Sequence, residues 1–166
     1  MELTKFERLT LINQYKILEK LYPNEEEAYQ ELRIPLEEGF TYDYYKSFSF
    51  MESELSIEQC KEVLNILDMY RTLTFSYRDL EDKSGIDMKD IKFHGFDGNN
   101  EPSQYVYAKH YLITLNRYQE LKDGEYDDFN SHRGMLSKYR RMLTVFQSLS
   151  DRYNLNKEQI ISVINA

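Results

Sequence analysis

The sequence predicts an all-α protein: a helical hairpin packed on a multi-helix body, with one ordered loop around residues 83–100. Three observations lead there. Apolar residues alternate at spacings of three and four along five long stretches, the mark of helices with a buried face. No stretch sustains the period of two that a half-buried strand requires. Helix-breaking residues are scarce, with 6 Gly and 3 Pro in 166 residues, so long segments run without punctuation. The length fits a single domain over 1–166, with the hairpin over about 4–39 and the body over about 40–166. At least half the residues are expected in helix, with any strand short and confined to 83–100.

The first helix is expected from about Thr4 to Tyr22. Thr4 and Glu7 have capping-box spacing. Leu11, Tyr15, Leu18 and Tyr22 form one apolar stripe, while Phe6, Leu9, Ile12, Ile17 and Leu21 lie elsewhere around the same helix. A helix that is apolar on several sides is covered on several sides. Pro23 ends it, and Asn24 is placed to cap a second helix with Glu27 three residues on. Gly39 suits the left-handed residue that closes this helix. Pro35 lies inside it and should kink it or split off the last turn.

Tyr42–Glu52 reads as a short aromatic helix. Ser56 with Gln59 opens the longest helix, striped by Cys60, Val63, Leu67, Tyr70, Thr74 and Tyr77. Its stretch Thr72–Tyr77 is β-branched and aromatic, where helix propensity is weaker; the long stripe is expected to prevail. Residues 83–100 read as an ordered loop anchored by Ile91, Phe93 and Phe96, with turn chemistry at Asp97-Gly98-Asn99-Asn100. Pro102 suits the first turn of a helix reaching about Leu121. Lys122–Ser131 reads as an acidic loop. A fifth long helix is expected over about Arg133–Tyr153, where Met135, Tyr139, Met142, Phe146, Leu149 and Tyr153 make the clearest stripe. Leu155, Asn156 and Ile160 fit a hydrophobic staple around an N-cap that opens a last short helix ending near Ala166.

Bulk properties exclude several function classes. The net charge is −8, which disfavours free nucleic acid, because phosphate recognition needs clustered Lys and Arg. The segment 42–67 can be drawn as a helix-turn-helix, but its second helix would present Glu54, Glu58 and Glu62 to phosphate, with only Lys61 between them. The single cysteine, Cys60, cannot form an internal disulfide, which suits a reducing compartment. Residues 1–11 are charged throughout and do not resemble a signal peptide. No stretch has the apolar length to cross a bilayer. A cytoplasmic location and no membrane partner are expected. The 15 Tyr and 9 Phe supply rings that suit protein interfaces.

No motif carries a recognised chemistry. Asp97, Asn99 and Glu101 have the one-three-five spacing of a calcium loop, but Pro102 and Ala108 stand where Gly and Glu are required. Asp123, Glu125 and Asp127 repeat the spacing, and Asp128 and Gly134 fail in the same places. A turn and helix cap, and a solvated acidic loop, are the preferred readings. His94, His110 and His132 lack zinc-site spacing. Folding can still bring His94 and His132 together near Asp97 as an acid–base or metal cluster, although hydrogen-bonded boundary histidines are the commoner outcome. His110 borders an apolar face. Cys60 lies on an apolar stripe, and a buried inert thiol is preferred to a nucleophile. Arg133, Lys138, Arg140 and Arg141 concentrate positive charge near an expected helix start, where an anion can bind; pairing with the acids just upstream competes. There is no nucleophile elbow, P-loop or dinucleotide fingerprint. The sequence thus leans away from an enzyme, and no cofactor or metal is expected.

Several landmarks carry a family resemblance. They are Asn13-Gln14-Tyr15-Lys16, Cys60 through Tyr70, Gly95-Phe96-Asp97, Arg117-Tyr118, Phe129-Asn130, Met135 through Leu143, Tyr153, Leu155 and Ile164-Asn165-Ala166. In order and spacing the chain resembles the YfbU family of uncharacterised bacterial proteins over its whole length. Pro35 and Gly134 depart from the family pattern of an uninterrupted second helix and of Pro at the start of the fifth. The resemblance implies an all-helical fold of hairpin plus body. It implies no activity, cofactor or catalytic residue.

Two functions are weighed. The first is a non-enzymatic helical interaction or regulatory protein that self-associates as a homo-oligomer and has a protein partner. The second is a small-ligand binder or enzyme whose polar site lies where the 93–101 loop meets the 132–141 segment. That site would use His94, Asp97, Asn99, Glu101, His132, Arg133, Arg140 and Arg141.

Overall fold

The computed structural model of the chain describes residues 2–49, 51, 54–122 and 128–166. Among these, helix accounts for 67%, above the half that the stripes require, and there are eight α-helices and no strand. The protein is all-α. The chain divides into two compact units, Met1–Glu54 and Leu55–Ala166.

In the first unit, α1 (Lys5–Leu21) opens on the expected capping box: the Thr4 hydroxyl accepts from the Glu7 amide at 3.2 Å, and the Glu7 carboxylate accepts from the Thr4 amide at 2.7 Å. Asn24 does not cap the next helix. Pro23 starts a 3-10 turn at once (Pro23–Glu25), because its fixed φ already suits a first helical residue. This absorbs Asn24, and α2 (Glu26–Glu38) begins after Glu25 with no side-chain cap. Helix α2 then runs through Pro35 without splitting. The carbonyls of its last turn, which have no intrahelical donor, find one on α1. Arg8 on α1 donates to the Leu36 carbonyl through Nε at 2.9 Å and to that of Glu37 at 3.2 Å. Gly39, left-handed at φ 77° as expected, closes the helix onto the Pro35 carbonyl. A part-buried ion pair, Arg33 Nε to Glu19 at 2.6 Å, and tilted Tyr15–Tyr29 and Tyr22–Tyr29 ring contacts hold α1 to α2. The short aromatic helix is α3 (Thr41–Phe48); its expected end at Glu52 lies outside the described residues.

In the second unit, α4 (Ile57–Asp79) opens on the Ser56–Gln59 capping box and stays helical through Thr72–Tyr77. Its buried face, from Val63 through Leu73, explains why packing overrides propensity there. The 83–100 segment carries one helical turn, α5 (Met88–Ile91), and buries Ile91, Phe93 and Phe96 as expected.

Two long helices are shorter than their stripes. The helix expected to reach Leu121 is α6 (Pro102–Lys109), followed by a π turn (His110–Thr114) and then by Asn116 and Tyr118, both at φ 52°. Tyr118 is captured from outside its own helix. Its hydroxyl donates to Asp68 at 2.8 Å, and the Arg71 guanidinium lies 4.1 Å over its ring. The helix expected over Arg133–Tyr153 is α7 (Leu136–Ser148). It opens only at Leu136, whose amide donates to the Glu101 carboxylate from another segment at 2.7 Å. It ends early because Leu149 turns extended and Asp151 accepts from the Tyr153 amide at 2.8 Å, leaving Tyr153 85% exposed. The last helix, α8 (Lys157–Ile164), keeps its Asn156 cap and buries Leu155 and Ile160.

The core of this unit is built on rings. Tyr139 lies edge-on to Tyr70 at 5.3 Å and to Phe96 at 5.5 Å, and Phe93 packs against Tyr70, Phe96, Phe129 and Tyr139. Such edge and tilted pairs add to the area they bury.

Candidate functional site

The 93–101 loop does meet the segment before and within α7. Phe96 and Asn130 form an isolated parallel bridge: the Phe96 amide donates to the Phe129 carbonyl and the Ser131 amide to that of Phe96, each at 3.1 Å. Gly95 makes the approach possible. At φ 83° it is left-handed, and a Cβ there would sit 1.8 Å from the Phe129 carbonyl oxygen. Asn130 ties both sides, its side-chain oxygen accepting from Gly98 at 3.2 Å and from His132 at 3.1 Å.

The polar side chains at this joint are engaged by the chain itself. Asp97 is buried. It accepts from the Asn99 amide at 2.9 Å and from the Asn100 side chain at 2.5 Å. These bonds, with a smaller contribution from nearby His132, hold its carboxyl below the usual range. Buried Glu101 accepts from the Asp97 amide at 3.1 Å and from the Leu136 amide at 2.7 Å, so it caps the start of α7. A carboxylate at a helix N-terminus satisfies a free N–H and favours the helix dipole. Asn99 is exposed at the turn.

The other predicted site residues face elsewhere. The His94 ring lies 3.0 Å from the Lys89 carbonyl. Arg140 forms a two-pronged bond to Glu62, Nε–Oε1 2.7 Å and Nη2–Oε2 2.9 Å, on an exposed flank. Arg141 donates to the Ser137 carbonyl at 3.3 Å, and Arg133 is exposed. Of the acids expected to compete for these arginines, Asp123, Glu125 and Asp127 lie outside the described residues and Asp128 accepts from the Asn130 amide at 2.9 Å, while Glu62 on α4 is the partner of Arg140. Thus Asp97, Glu101 and His132 are drawn together, whereas His94 and Arg140 serve different surfaces. Among the described residues no group of three His, Cys, Asp or Glu is placed to hold a metal ion. Cys60 is half-buried rather than buried. It lies against Tyr107, whose hydroxyl is pushed up chiefly by its bond with Tyr111, with burial and Cys60 adding to the shift.

Concave surface lies away from the joint. One cleft of about 400 Å³ is lined by Asp68, Arg71, Phe146 and Arg152, and another of about 420 Å³ by Glu58, Glu62 and Arg140. The largest of the three, about 660 Å³, lies between the end of α4, the α5 segment and the 3-10 turn Gln119–Leu121, and His94 is on its wall. Its remaining polar lining is mostly basic. Sequence reasoning missed this basic lining. Arg78, Lys83, Lys89, Lys92 and Lys122 each stand within two residues of an acid, so no run of positive charge appears. The one usable signal was that four of these basic residues and a histidine share the 78–94 stretch with the anchoring Ile91 and Phe93.

The arrangement defines a helical protein whose polar joint serves its own backbone and whose open surfaces are clefts and apolar helix faces. The chain belongs to the YfbU family, whose domain model matches residues 1–166. That is a family of uncharacterised function. No helix of the described residues is long and apolar enough to cross a membrane.

Proposed function

We propose that the protein is a non-enzymatic interaction or regulatory protein that works as a homodimer, paired through α1 of its N-terminal hairpin. One observation carries this reading: α1 is apolar on two opposite sides. Leu11, Tyr15 and Leu18 are half-buried toward α2. About half a helical turn away, Phe6 (78% exposed), Leu9, Ile17 (58%) and Leu21 (65%) form a second face. Within Met1–Glu54 only Leu36 and Tyr44 among the described apolar residues are fully buried. So small a unit, with so little core, gains little stability from its own packing.

A second copy fits this face. Under two-fold symmetry one patch covers its own image, and two hairpins make a four-helix bundle. Sedimentation equilibrium on the full chain at micromolar concentration tests it. The expected mass is about 40 kDa, twice the 20.1 kDa chain. Ile17→Glu should return the monomer mass while keeping the helical circular dichroism. A monomeric unmutated chain overturns the proposal.

A further inference from the structure

A second site emerges in the Leu55–Ala166 unit, independent of the hairpin. We propose that the cleft between the end of α4, the α5 segment and the Gln119–Leu121 turn binds a small organic anion, a phosphate or carboxylate borne on an apolar or aromatic body. The cleft holds about 660 Å³, within the range of small-molecule sites. Its walls separate into two chemistries. Exposed Met88 and half-buried Tyr77 supply the open apolar surface, backed by the edges of buried Phe93, Ile91 and Leu121. Arg78, Lys83, Lys89, Lys92 and Lys122 supply five positive charges, with His94 beside them.

The charge is not cancelled by the acidic residue that shares the lining. Glu120 is turned to Arg71, Nε–Oε1 2.5 Å, which is not part of the cleft. Asp82, next to Lys83 in sequence, is paired with Lys157 at 2.6 Å. Asp87 accepts from the Lys89 amide at 3.0 Å and holds its other oxygen 4.0 Å from the Lys89 ammonium, so it offsets part of that one charge, and Arg78, Lys83 and Lys122 are the cations on which the site rests. Two of the cations are positioned by neutral acceptors. Lys83 donates to the Leu80 and Arg78 carbonyls at 2.6 and 3.2 Å, and Lys122 donates to the Asn116 side chain at 2.7 Å. Each of these bonds orients an ammonium group without neutralising it, so donors remain for a ligand. A chain with net charge −8 that nevertheless gathers five cations around one concave apolar surface is arranged for an anion with an apolar body, because either half alone leaves one wall unused.

Binding to the full-length protein is measured by calorimetry and by chemical-shift changes of the Met88 methyl group, with phenyl phosphate, inorganic phosphate and phenol as probes. Phenyl phosphate should bind saturably and more tightly than either fragment, and should move the Met88 signal. Lys122→Gln, which removes an exposed bond to the Asn116 side chain, and Lys83→Gln should each weaken phenyl phosphate by about tenfold, one charge contact at about 1.4 kcal/mol. Met88→Ser should weaken phenyl phosphate and leave inorganic phosphate unchanged. Circular dichroism confirms that each variant is folded; if Lys83→Gln is not, Lys122→Gln carries the charge test. The proposal is overturned if phenyl phosphate fails to saturate at millimolar concentration. It is equally overturned if phenyl phosphate binds without moving Met88, or if folded Lys122→Gln binds it as the unmutated chain does.

Discussion

Gly95 concentrates what single residues decide in this molecule. Its φ of 83° and the 1.8 Å separation between a built Cβ and the Phe129 carbonyl leave no room for any side chain. Its own carbonyl accepts from the buried Tyr139 hydroxyl at 3.0 Å. Gly95→Ala therefore strains the backbone, pushes the Phe129 backbone away and disturbs the bond that satisfies Tyr139. A loss of about 3 kcal/mol or more is expected in urea unfolding, at the severe end of point mutations. A loss below about 1 kcal/mol would show that the bridge gives way freely. In the sequence Gly95 is legible only as part of a loop. The carbonyl that excludes a Cβ comes from 34 residues further on, and no local pattern announces it. Asp97 and Glu101 show the converse. Their calcium-like spacing is visible in the sequence, yet their carboxylates accept from backbone amides and an Asn side chain.

At the scale of the element, helix starts and helix ends behave differently. The capping boxes at Thr4 and Ser56 and the N-cap at Asn156 are found where the sequence places them, because each is closed within four residues of chain, whereas Asn24 is absorbed into the Pro23–Glu25 turn. The ends of α6 and α7 are set by distant partners, Asp68 and Arg71 for Tyr118, or by a side-chain turn at Asp151. The stripe of α7 is nonetheless a true core face over its helical part. Met142 is fully buried, with the Tyr70 hydroxyl 3.6 Å from its sulfur, and Phe146 is 7% exposed. Phe146→Ala is expected to destabilise the protein by about 3–5 kcal/mol through lost contacts and a cavity. Chemical denaturation checks this, and a change under about 1 kcal/mol would mean that the site collapses around the smaller side chain.

At the scale of the whole molecule, the two units differ in how much apolar surface they bury. The Leu55–Ala166 unit has a ring-rich core, whereas Met1–Glu54 fully buries only Leu36 and Tyr44 among its described apolar residues. Local stability follows buried contacts. Amide hydrogen exchange should therefore be slow in α4 and α7 at every protein concentration. In α1 and α2 it should slow as concentration rises, since pairing stabilises the folded hairpin by mass action. Concentration-independent exchange in α1 would count against dimer formation through this helix.

The sequence by itself determined the helical class, the starts of most helices, the family, and which loop residues anchor the body. Apolar periodicity, caps and turn residues act over a few positions and are written locally. The tertiary structure alone decided where α6 and α7 stop, that the 93–101 loop and the segment before α7 form a self-satisfied joint, and that five scattered cations share one apolar cleft. Each of these depends on groups tens of residues apart meeting in space, where burial and hydrogen bonding outweigh the local preference of the chain.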